Sequence, residues 1–184
     1  MKAGFVVVLL AACNARLGAP MNDEVLHPDA PAHADSAKPP DAMVDARPCT
    51  GGDAHGAAPD GTCFQFFTGP ASFPDAETAC ETGGAHLAKV SNAGQNGVVA
   101  QLSTGVVAFI GATDAVTEGT FLWKDGTPLT YMNFRTGEPN NGSGQYEEDC
   151  LVLDGKKSVD MWDDKPCTTD VVLGAGAYAY ICSY

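Results

Sequence analysis

The sequence is poor in basic residues. It holds 10 Lys and Arg against 23 Asp and Glu, which gives a formal net charge of -13 at pH 7. Its densest basic point is only Lys156-Lys157. Nucleic acids and anionic membrane surfaces attract clustered Lys and Arg, so we expect neither as a partner. An acidic excess is instead what a cation site or a solvated acidic segment produces.

The chain also lacks the short motifs of common enzymes. It contains no Gly-x-Ser-x-Gly, no His-Glu-x-x-His and no P-loop. Glu147 and Glu148 are adjacent, and adjacent residues rarely face one substrate together as a glycosidase pair does. We therefore expect a binding protein and not an enzyme.

The amino-terminal apolar run is too short to span a bilayer. It covers Ala3–Ala12 after Lys2, which is typical of a targeting segment. Its end, Leu10-Ala11-Ala12-Cys13, resembles a bacterial lipobox, in which the Cys becomes a lipidated amino terminus. The alternative is an ordinary secretory signal cut near Ala-x-Ala, with Cys13 incidental. The lipobox implies a lipoprotein of the bacterial cell envelope. Asn14 after it favours the outer membrane, with the protein either periplasmic or surface-exposed.

Aromatic residues are missing between Asn14 and Thr62. That stretch is rich in Ala, Asp and Pro and cannot bury enough apolar area to offset its ordering entropy. We expect a signal peptide at 1–12, a lipidated Cys13 with a disordered tether through 48, and one folded domain at 49–184. The chain has seven Cys, and lipidation of one leaves six that can pair in fifteen ways.

The folded part is predicted to be α+β. Cys63–Phe67 reads as a strand. Ser72 is placed to cap a first helix, which Gly83-Gly84 ends, and Ser91 is placed to cap a second. Further strands are predicted at His86–Val90, Val106–Ile110, Thr120–Trp123, Leu129–Phe134, Cys150–Leu153, Val159–Trp162 and Tyr178–Cys182.

Oxygen-bearing side chains gather in the last third of the chain, each beside a Pro, Cys or Trp. They are Glu138, Asn140, Glu148, Asp163 and Asp164. Ca²⁺ takes six to eight oxygen ligands of this kind. Zinc prefers His and Cys in tetrahedral sites, so the set does not suit it. The sequence therefore predicts a calcium site.

These stretches resemble the C-type lectin domain family. The resemblance runs from Cys49 to Tyr184 and is carried, in order, by Cys63, the Ala76–Cys80 helix, Phe109-Ile110-Gly111-Ala112, Glu138-Pro139-Asn140, Glu148-Asp149-Cys150, Trp162-Asp163-Asp164, Cys167 and Cys182. It implies a C-type lectin-like fold in its long form, with two helices, small antiparallel sheets and a long calcium-binding loop region. It also implies disulfides Cys49–Cys63, Cys80–Cys182 and Cys150–Cys167, and a cis bond before Pro139.

The resemblance further implies a function. Calcium would be held by Glu138, Asn140, Glu148, Asp163 and Asp164, and two neighbouring sugar hydroxyls would replace its bound water. Carbohydrate would contact Glu138, Asn140, Glu148 and Asp163. Glu-Pro-Asn resembles the mannose/glucose-type arrangement, so we expect a membrane-tethered lectin whose partner is a glycan or glycoprotein. An auxiliary calcium site is expected at Asp114, Glu118, Asn141 and Asp149.

Position 163 departs from the family pattern, which usually has Asn there. Asp163 can still ligate calcium and adds charge that should tighten it. A carboxylate cannot donate a hydrogen bond, so one of the two amide donors to the sugar is lost. The alternative function is accordingly a calcium-stabilised, protein-binding adhesin or receptor module that does not bind sugar.

Overall fold

The computed structural model describes residues 47–144, 147–168 and 176–184. The signal peptide 1–12, the lipidated Cys13 and nearly all of the tether 13–48 lie outside the described residues. Within those ranges the architecture is α+β, with two α-helices and one sheet of eight strands. The elements in chain order are β1 (Ala54–Ala57), β2 (Cys63–Ala71), α1 (Phe73–Thr82), β3 (His86–Leu87), α2 (Ala93–Leu102), β4 (Val107–Thr113), β5 (Leu122–Trp123), a 3-10 helix (Asn141–Gly144), β6 (Cys150–Asp154), β7 (Trp162–Lys165) and β8 (Tyr178–Ser183).

The strand order of the sheet is β1-β2-β8-β4-β6-β7, with β3 paired to β8 and β5 to β4. All pairings are antiparallel except that of β4 with β8, which is parallel. β7 is the last strand of this order. Its pairing with β6 places Asp163 opposite Val152 and Asp164 opposite Leu151.

The core lies on both faces of the sheet. Alternate residues of β6 show this, because Leu151 and Leu153 belong to one buried cluster and Val152 belongs to the other. The first cluster also contains Val99 of α2, and the second contains Phe73 of α1. A strand buried on both faces is held rigidly, and β6 is the strand on which β7 is built.

The first helix begins as the sequence predicts. Ser72 is its N-cap, and the hydroxyl accepts a hydrogen bond from the Asp75 backbone at 3.3 Å. The second helix begins one residue later than predicted, because Asn92 and not Ser91 is its cap. The Ser91 backbone N–H instead donates to Gln95 Oε1 at 2.6 Å, while the Gln95 N–H donates to Asn92 Oδ1 at 2.9 Å. These two hydrogen bonds, from Gln95 to Asn92 and from Ser91 to Gln95, fix the start in the manner of a capping box.

Two predicted strands are wrong. Leu129–Phe134 forms no strand; Phe134 makes only an isolated bridge to Trp162, and Leu129, Tyr131 and Phe134 pack on the core instead. The strand predicted at Val159–Trp162 begins at Trp162 and runs on to Lys165. β1, which carries no strand-favouring residue, was not predicted at all. It exists through its pairing with β2.

Three disulfides link the described residues, namely Cys49–Cys63, Cys80–Cys182 and Cys150–Cys167. These are the pairings that the family resemblance implies. The second spans a sequence separation of 102, and in the chain-entropy model closing a loop of that length contributes about 4–5 kcal/mol. The third joins β6 to the residues that follow β7 and so braces the sheet edge where the acidic residues lie.

No helix in the described ranges is both long and apolar enough to cross a membrane.

Candidate cation and ligand site

The loop of residues 133–138 is held against the start of β7 by backbone hydrogen bonds. Trp162 N–H donates to Asn133 O at 2.8 Å, and Arg135 N–H donates to Trp162 O at 2.9 Å. Glu138 N–H then donates back to Arg135 O at 2.9 Å. The loop is thereby fixed against the first residue of β7. The Glu138–Pro139 peptide bond is cis, as the resemblance implies.

Glu138, Asp163 and Asp164 lie together. Each offers one carboxylate oxygen, and the three oxygens are all within 4.8 Å of one another. Asp163 is 0% exposed, and its Oδ1 has no hydrogen-bond partner among the described residues. Leaving a buried acceptor unpaired costs about 1–3 kcal/mol. A divalent cation with a preference for oxygen is a partner that would satisfy it.

The Asp164 carboxylate accepts hydrogen bonds from the backbones of Asn140 and Asn141. Asn140 N–H donates to Asp164 Oδ2 at 3.0 Å, and Asn141 N–H donates to the same oxygen at 2.6 Å. The Asn140 side-chain amide donates to Glu138 Oε2. An amide and a carboxylate of the predicted set are therefore in direct contact.

Glu148 joins the group through the 3-10 helix and through Lys165. Its Oε2 accepts from Gly142 N–H at 2.9 Å, and its Oε1 lies 3.4 Å from Lys165 Nζ. The same Nζ lies 3.0 Å from Asp163 Oδ2. Three of the five predicted ligands, Glu138, Asp163 and Asp164, thus share one centre. Asn140 contacts Glu138 directly, and Glu148 is joined to Asp163 through Lys165.

Two basic residues in this network were missed by the sequence reasoning. Besides Lys165, Arg135 Nη2 contacts Glu138 Oε1 at 2.7 Å and Asp163 Oδ2 at 2.9 Å. Asp163 was the residue from which these basic partners could have been predicted. A buried carboxylate in place of an amide needs a cationic partner, and Lys165 and Arg135 lie near the two acidic motifs in sequence.

Burial and crowding shift the pKa values in the network. Burial, followed by repulsion from Asp163, raises the pKa of Glu138. Burial also raises the pKa of Glu148, which Lys165 opposes. Burial alone would lower the pKa of Lys165, but its hydrogen bond to Asp163 and the surrounding carboxylates raise it above its usual value. Acidic oxygens that repel one another and lack solvent favour a cation among them.

A second acidic group contains Asp114, Glu118 and Asp149, with ligand oxygens within 4.8 Å of one another. Asp114 is buried; its Oδ2 accepts from Gly119 N–H at 2.8 Å, and its Oδ1 has no hydrogen-bond partner in the described ranges. Burial is the largest cause of the raised pKa of Asp114 and of that of Asp149. Asn141, also expected here, accepts from Glu148 N–H at 2.6 Å with its side-chain oxygen.

A third group, Glu77, Glu81 and His86, lines a cavity of about 400 Å³. Buried Glu77 has partners for both oxygens: its Oε1 lies 3.0 Å from His86 Nδ1 and its Oε2 accepts from Leu87 N–H at 2.8 Å. These contacts attach β3 to α1, so the role of this group is structural.

The family assignment follows from comparison with known proteins. The profile described as "Lectin C-type domain" matches residues 69–174. The chain belongs to the C-type lectin domain family. We use "the lectin domain" for residues 49–184. The family is generally non-enzymatic.

Of three curated relatives of the lectin domain, two are named as lectins and one as a pulmonary surfactant-associated protein. The lectin domain is 30% identical over 138 residues to the "Alpha-N-acetylgalactosamine-specific lectin" of Patiria pectinifera, covering 67% of this chain and 74% of the relative. It is 36% identical over 110 residues to ladderlectin of Oncorhynchus mykiss, covering 57% of this chain and 56% of the relative. It is 37% identical over 101 residues to pulmonary surfactant-associated protein D of Sus scrofa, covering 52% of this chain but only 25% of that protein.

Solved structures share the fold. The human scavenger receptor C-type lectin carbohydrate-recognition domain has a TM-score of 0.60 at 26% identity, over 73% of this chain and 98% of that one. The carbohydrate-recognition domain of cow CD23, determined in the presence of a GlcNAc2Man3 oligosaccharide, has 0.57 at 28%, over 67% and 87%. A calcium-independent type II antifreeze protein has 0.56 at 26%, over 67% and 85%. A Ca²⁺-dependent type II antifreeze protein in its Ca²⁺-free form also matches, with a TM-score of 0.57 at 26% identity, over 68% of this chain and 93% of that one. The same fold thus occurs with and without dependence on calcium.

Proposed function

We propose that the lectin domain binds carbohydrate through a calcium ion held by Glu138, Asn140, Glu148, Asp163 and Asp164. The observation that carries this proposal is the buried Oδ1 of Asp163, which lacks a partner within the described residues and lies in the acidic group with Glu138 and Asp164. Calcium accepts carboxylate and amide oxygens in flexible geometry, so the residues present fit it. When bound, it would supply a positive centre for ligand oxygens.

The sugar-binding part of the proposal rests on Glu138 and Asn140. Their carboxylate and amide are in contact, so an acceptor and a donor lie side by side. A sugar hydroxyl both donates and accepts, and such a pair can satisfy both needs. The Glu-Pro-Asn sequence favours mannose- or glucose-type glycans, free or on glycoproteins. One relative is named for N-acetylgalactosamine, so the test below includes that sugar.

We propose a second calcium at Asp114, Glu118 and Asp149, with Asn141 as the fourth expected ligand. Its support is the unpartnered, buried Oδ1 of Asp114. Asp114 N–H donates to Asp149 O at 3.1 Å, so this ion would stiffen the segment that leads into Glu148. Its role would be to hold the first site in shape.

We further propose that Cys13 is lipidated and tethers the lectin domain to the outer membrane of a bacterial cell envelope. The support is the sequence Leu10-Ala11-Ala12-Cys13 and the odd number of Cys, since the other six are paired in three disulfides. The lectin domain would then act outside the cytoplasm, where disulfides persist.

A second candidate function is a calcium-stabilised module that binds protein without sugar. The observation that favours it is the carboxylate at position 163, which is buried among basic residues and cannot donate a hydrogen bond to a sugar. Val116 is 89% exposed and Met132 is 62% exposed, but they lie in separate grooves and form no continuous apolar patch.

Glycan retention with and without calcium tests the main proposal. We expect the protein to be retained on mannose-agarose in calcium, to be released by a chelator, and to lose retention in Glu138→Ala. Glu81→Ala, which removes an exposed carboxylate on α1, is the control and should bind normally. Retention that survives Glu138→Ala would place the sugar elsewhere. Retention on N-acetylgalactosamine but not mannose would refute the proposed sugar class, and retention on neither sugar would favour the protein-binding candidate.

A further inference from the structure

The proposed ligand site contains two side-chain pairs that are chemically unequal. Glu138 and Asn140 form a pair with one carboxylate acceptor and one amide donor. Glu148 and Asp163 form the other pair, because Lys165 Nζ joins them, and both members are carboxylates. Ionised carboxylates only accept hydrogen bonds. The second pair therefore has no donor of its own for the oxygen of a ligand hydroxyl.

Lys165 lies at this second pair. Its Nζ is 3.4 Å from Glu148 Oε1 and 3.0 Å from Asp163 Oδ2, and it donates to the backbone oxygen of Asp164 at 2.6 Å. Its side chain is 19% exposed, so the protein does not enclose it completely. An ammonium carries three hydrogens that reorient freely on a flexible stem.

We propose that Lys165 contacts the ligand and supplies the hydrogen-bond donor that Glu148 and Asp163 lack. The long contact to Glu148 is the one exchanged: Lys165 then donates to the ligand hydroxyl oxygen, and Glu148 accepts the proton of that hydroxyl. The strong contacts to Asp163 and Asp164 hold the ammonium in place. This inference rests on the proposed function and names a specificity-determining residue of the same site.

Arg135 does not fill this role. Its Nη2 bridges Glu138 and Asp163, so it contacts one member of each pair but not Glu148, the carboxylate that would accept the proton of the ligand hydroxyl. Lys157 does not fill it either, because its Nζ is 3.9 Å from Asp163 Oδ2 and 3.8 Å from Asp154 Oδ2, and its side chain is 60% exposed. Lys157 is useful as a control because it carries the same charge near the same oxygen without a contact to Glu148.

A simpler role for Lys165 would be to balance the charge of Asp163. Charge balance predicts that removing the lysine alters the affinity for calcium but leaves ligand affinity unchanged once calcium saturates the site. A direct contact predicts the loss of ligand affinity at saturating calcium. The two readouts must therefore be measured separately, calcium alone first and the ligand second.

The experiment measures calcium binding by titration calorimetry, and then methyl α-mannoside binding at about 100 times each variant's calcium Kd. We expect Lys165→Met to bind the mannoside about tenfold more weakly or worse, because a charge-assisted hydrogen bond is lost. Lys157→Met should stay within about twofold of the wild type. The double variant Asp163→Asn/Lys165→Met should regain most of the affinity, because the new amide is itself a donor.

Each outcome has one meaning. Mannoside affinity of Lys165→Met equal to that of the wild type, or an equal loss in Lys157→Met, overturns the contact while leaving the proposed function intact. A double variant that fails to recover although it binds calcium also overturns it. A wild-type protein that binds calcium but no mannoside refutes the proposed mannose-type function, and the role of Lys165 falls with it.

Discussion

Asp163 stands where the family usually has Asn, and its two carboxylate oxygens have different surroundings. Its Oδ2 is taken by Arg135 and Lys165, while its Oδ1 is unpartnered in the described part of the chain. The sequence led us to expect that the extra carboxylate would simply tighten calcium. The structure changes that expectation, because two neighbouring cations offset the added charge. We now expect calcium affinity closer to that of a site with a neutral residue at this position.

Asn96 accepts a buried hydrogen bond from Trp162, the first residue of β7, and its replacement should destabilise the fold. Trp162 Nε1 donates to Asn96 Oδ1 at 2.7 Å with both residues buried. In Asn96→Ala the indole N–H loses its partner, and the free energy of unfolding should fall by about 1–3 kcal/mol, less a few tenths gained from helix propensity. Urea unfolding measures this change.

The matched control for that variant is Asn133→Ala. Asn133 and Asn96 both donate to Asp160 O, at 2.7 and 2.9 Å, but the Asn133 bond is exposed. Its loss should cost about 0.5–1.5 kcal/mol at most. Equal losses of stability in the two variants would contradict the importance we assign to the buried indole contact.

At the scale of elements, the sequence predicts best where local chemistry decides. Ser72 and Asp75 fix the start of α1 without help from the rest of the chain. The start of α2 was within reach too, because Asn92-x-x-Gln95 has the spacing of a capping box. The failed strand at Leu129–Phe134 has a different cause. Its apolar pattern signals burial, and Tyr131 and Phe134 do pack on Trp162, but a pattern does not reveal whether a backbone finds a strand partner.

Close packing between β4 and β3 gives an element-scale prediction at Gly111. A Cβ at this position would lie 2.4 Å from Leu87 O, so the two strands would have to separate. Gly111→Ala should lower the free energy of unfolding by about 1–3 kcal/mol. Thermal unfolding followed by circular dichroism would measure the loss.

Gly97→Ala provides the opposite control on an exposed turn of α2. No atom lies within 4 Å of its added Cβ, and replacing Gly by Ala inside a helix stabilises by about 0.5–1 kcal/mol. The two alanines should therefore shift the Tm in opposite directions. A Gly111→Ala protein as stable as the wild type would show that β3 and β4 are not constrained as described.

For the whole molecule, the sequence predicts the fold class and the three disulfides through the family resemblance. It also predicts which residues meet at the acidic group of Glu138, Asp163 and Asp164. It misses Arg135 and Lys165, because the resemblance concerns only the oxygen donors. The two basic residues pair with Asp163, the position at which this chain departs from the family pattern. Which charges neutralise a buried carboxylate depends on loop geometry, and that geometry is a property of the folded chain.

Calcium should stabilise the whole lectin domain if the proposed sites bind it. At about 100 times its Kd, a ligand that binds only the folded state adds about 2.7 kcal/mol to the free energy of unfolding. The Tm should therefore rise by several degrees in calcium and fall again with a chelator, as measured by calorimetry. Magnesium at equal concentration is the comparison ion, and we expect a smaller shift because it tolerates only near-octahedral geometry. An identical Tm with and without chelator would exclude both calcium sites.

The strand order determines how far the acidic residues of β7 lie from the point where the chain enters the sheet. β1, where the chain enters the sheet, and β7, which carries Asp163 and Asp164, lie at opposite ends of the order with four strands between them. At about 4.8 Å per strand step, they are separated by roughly 24 Å. The part of the chain that leads into Cys49 is therefore distant from the edge that carries the acidic residues, and a bulky tag fused upstream of Cys49 should leave ligand access unobstructed.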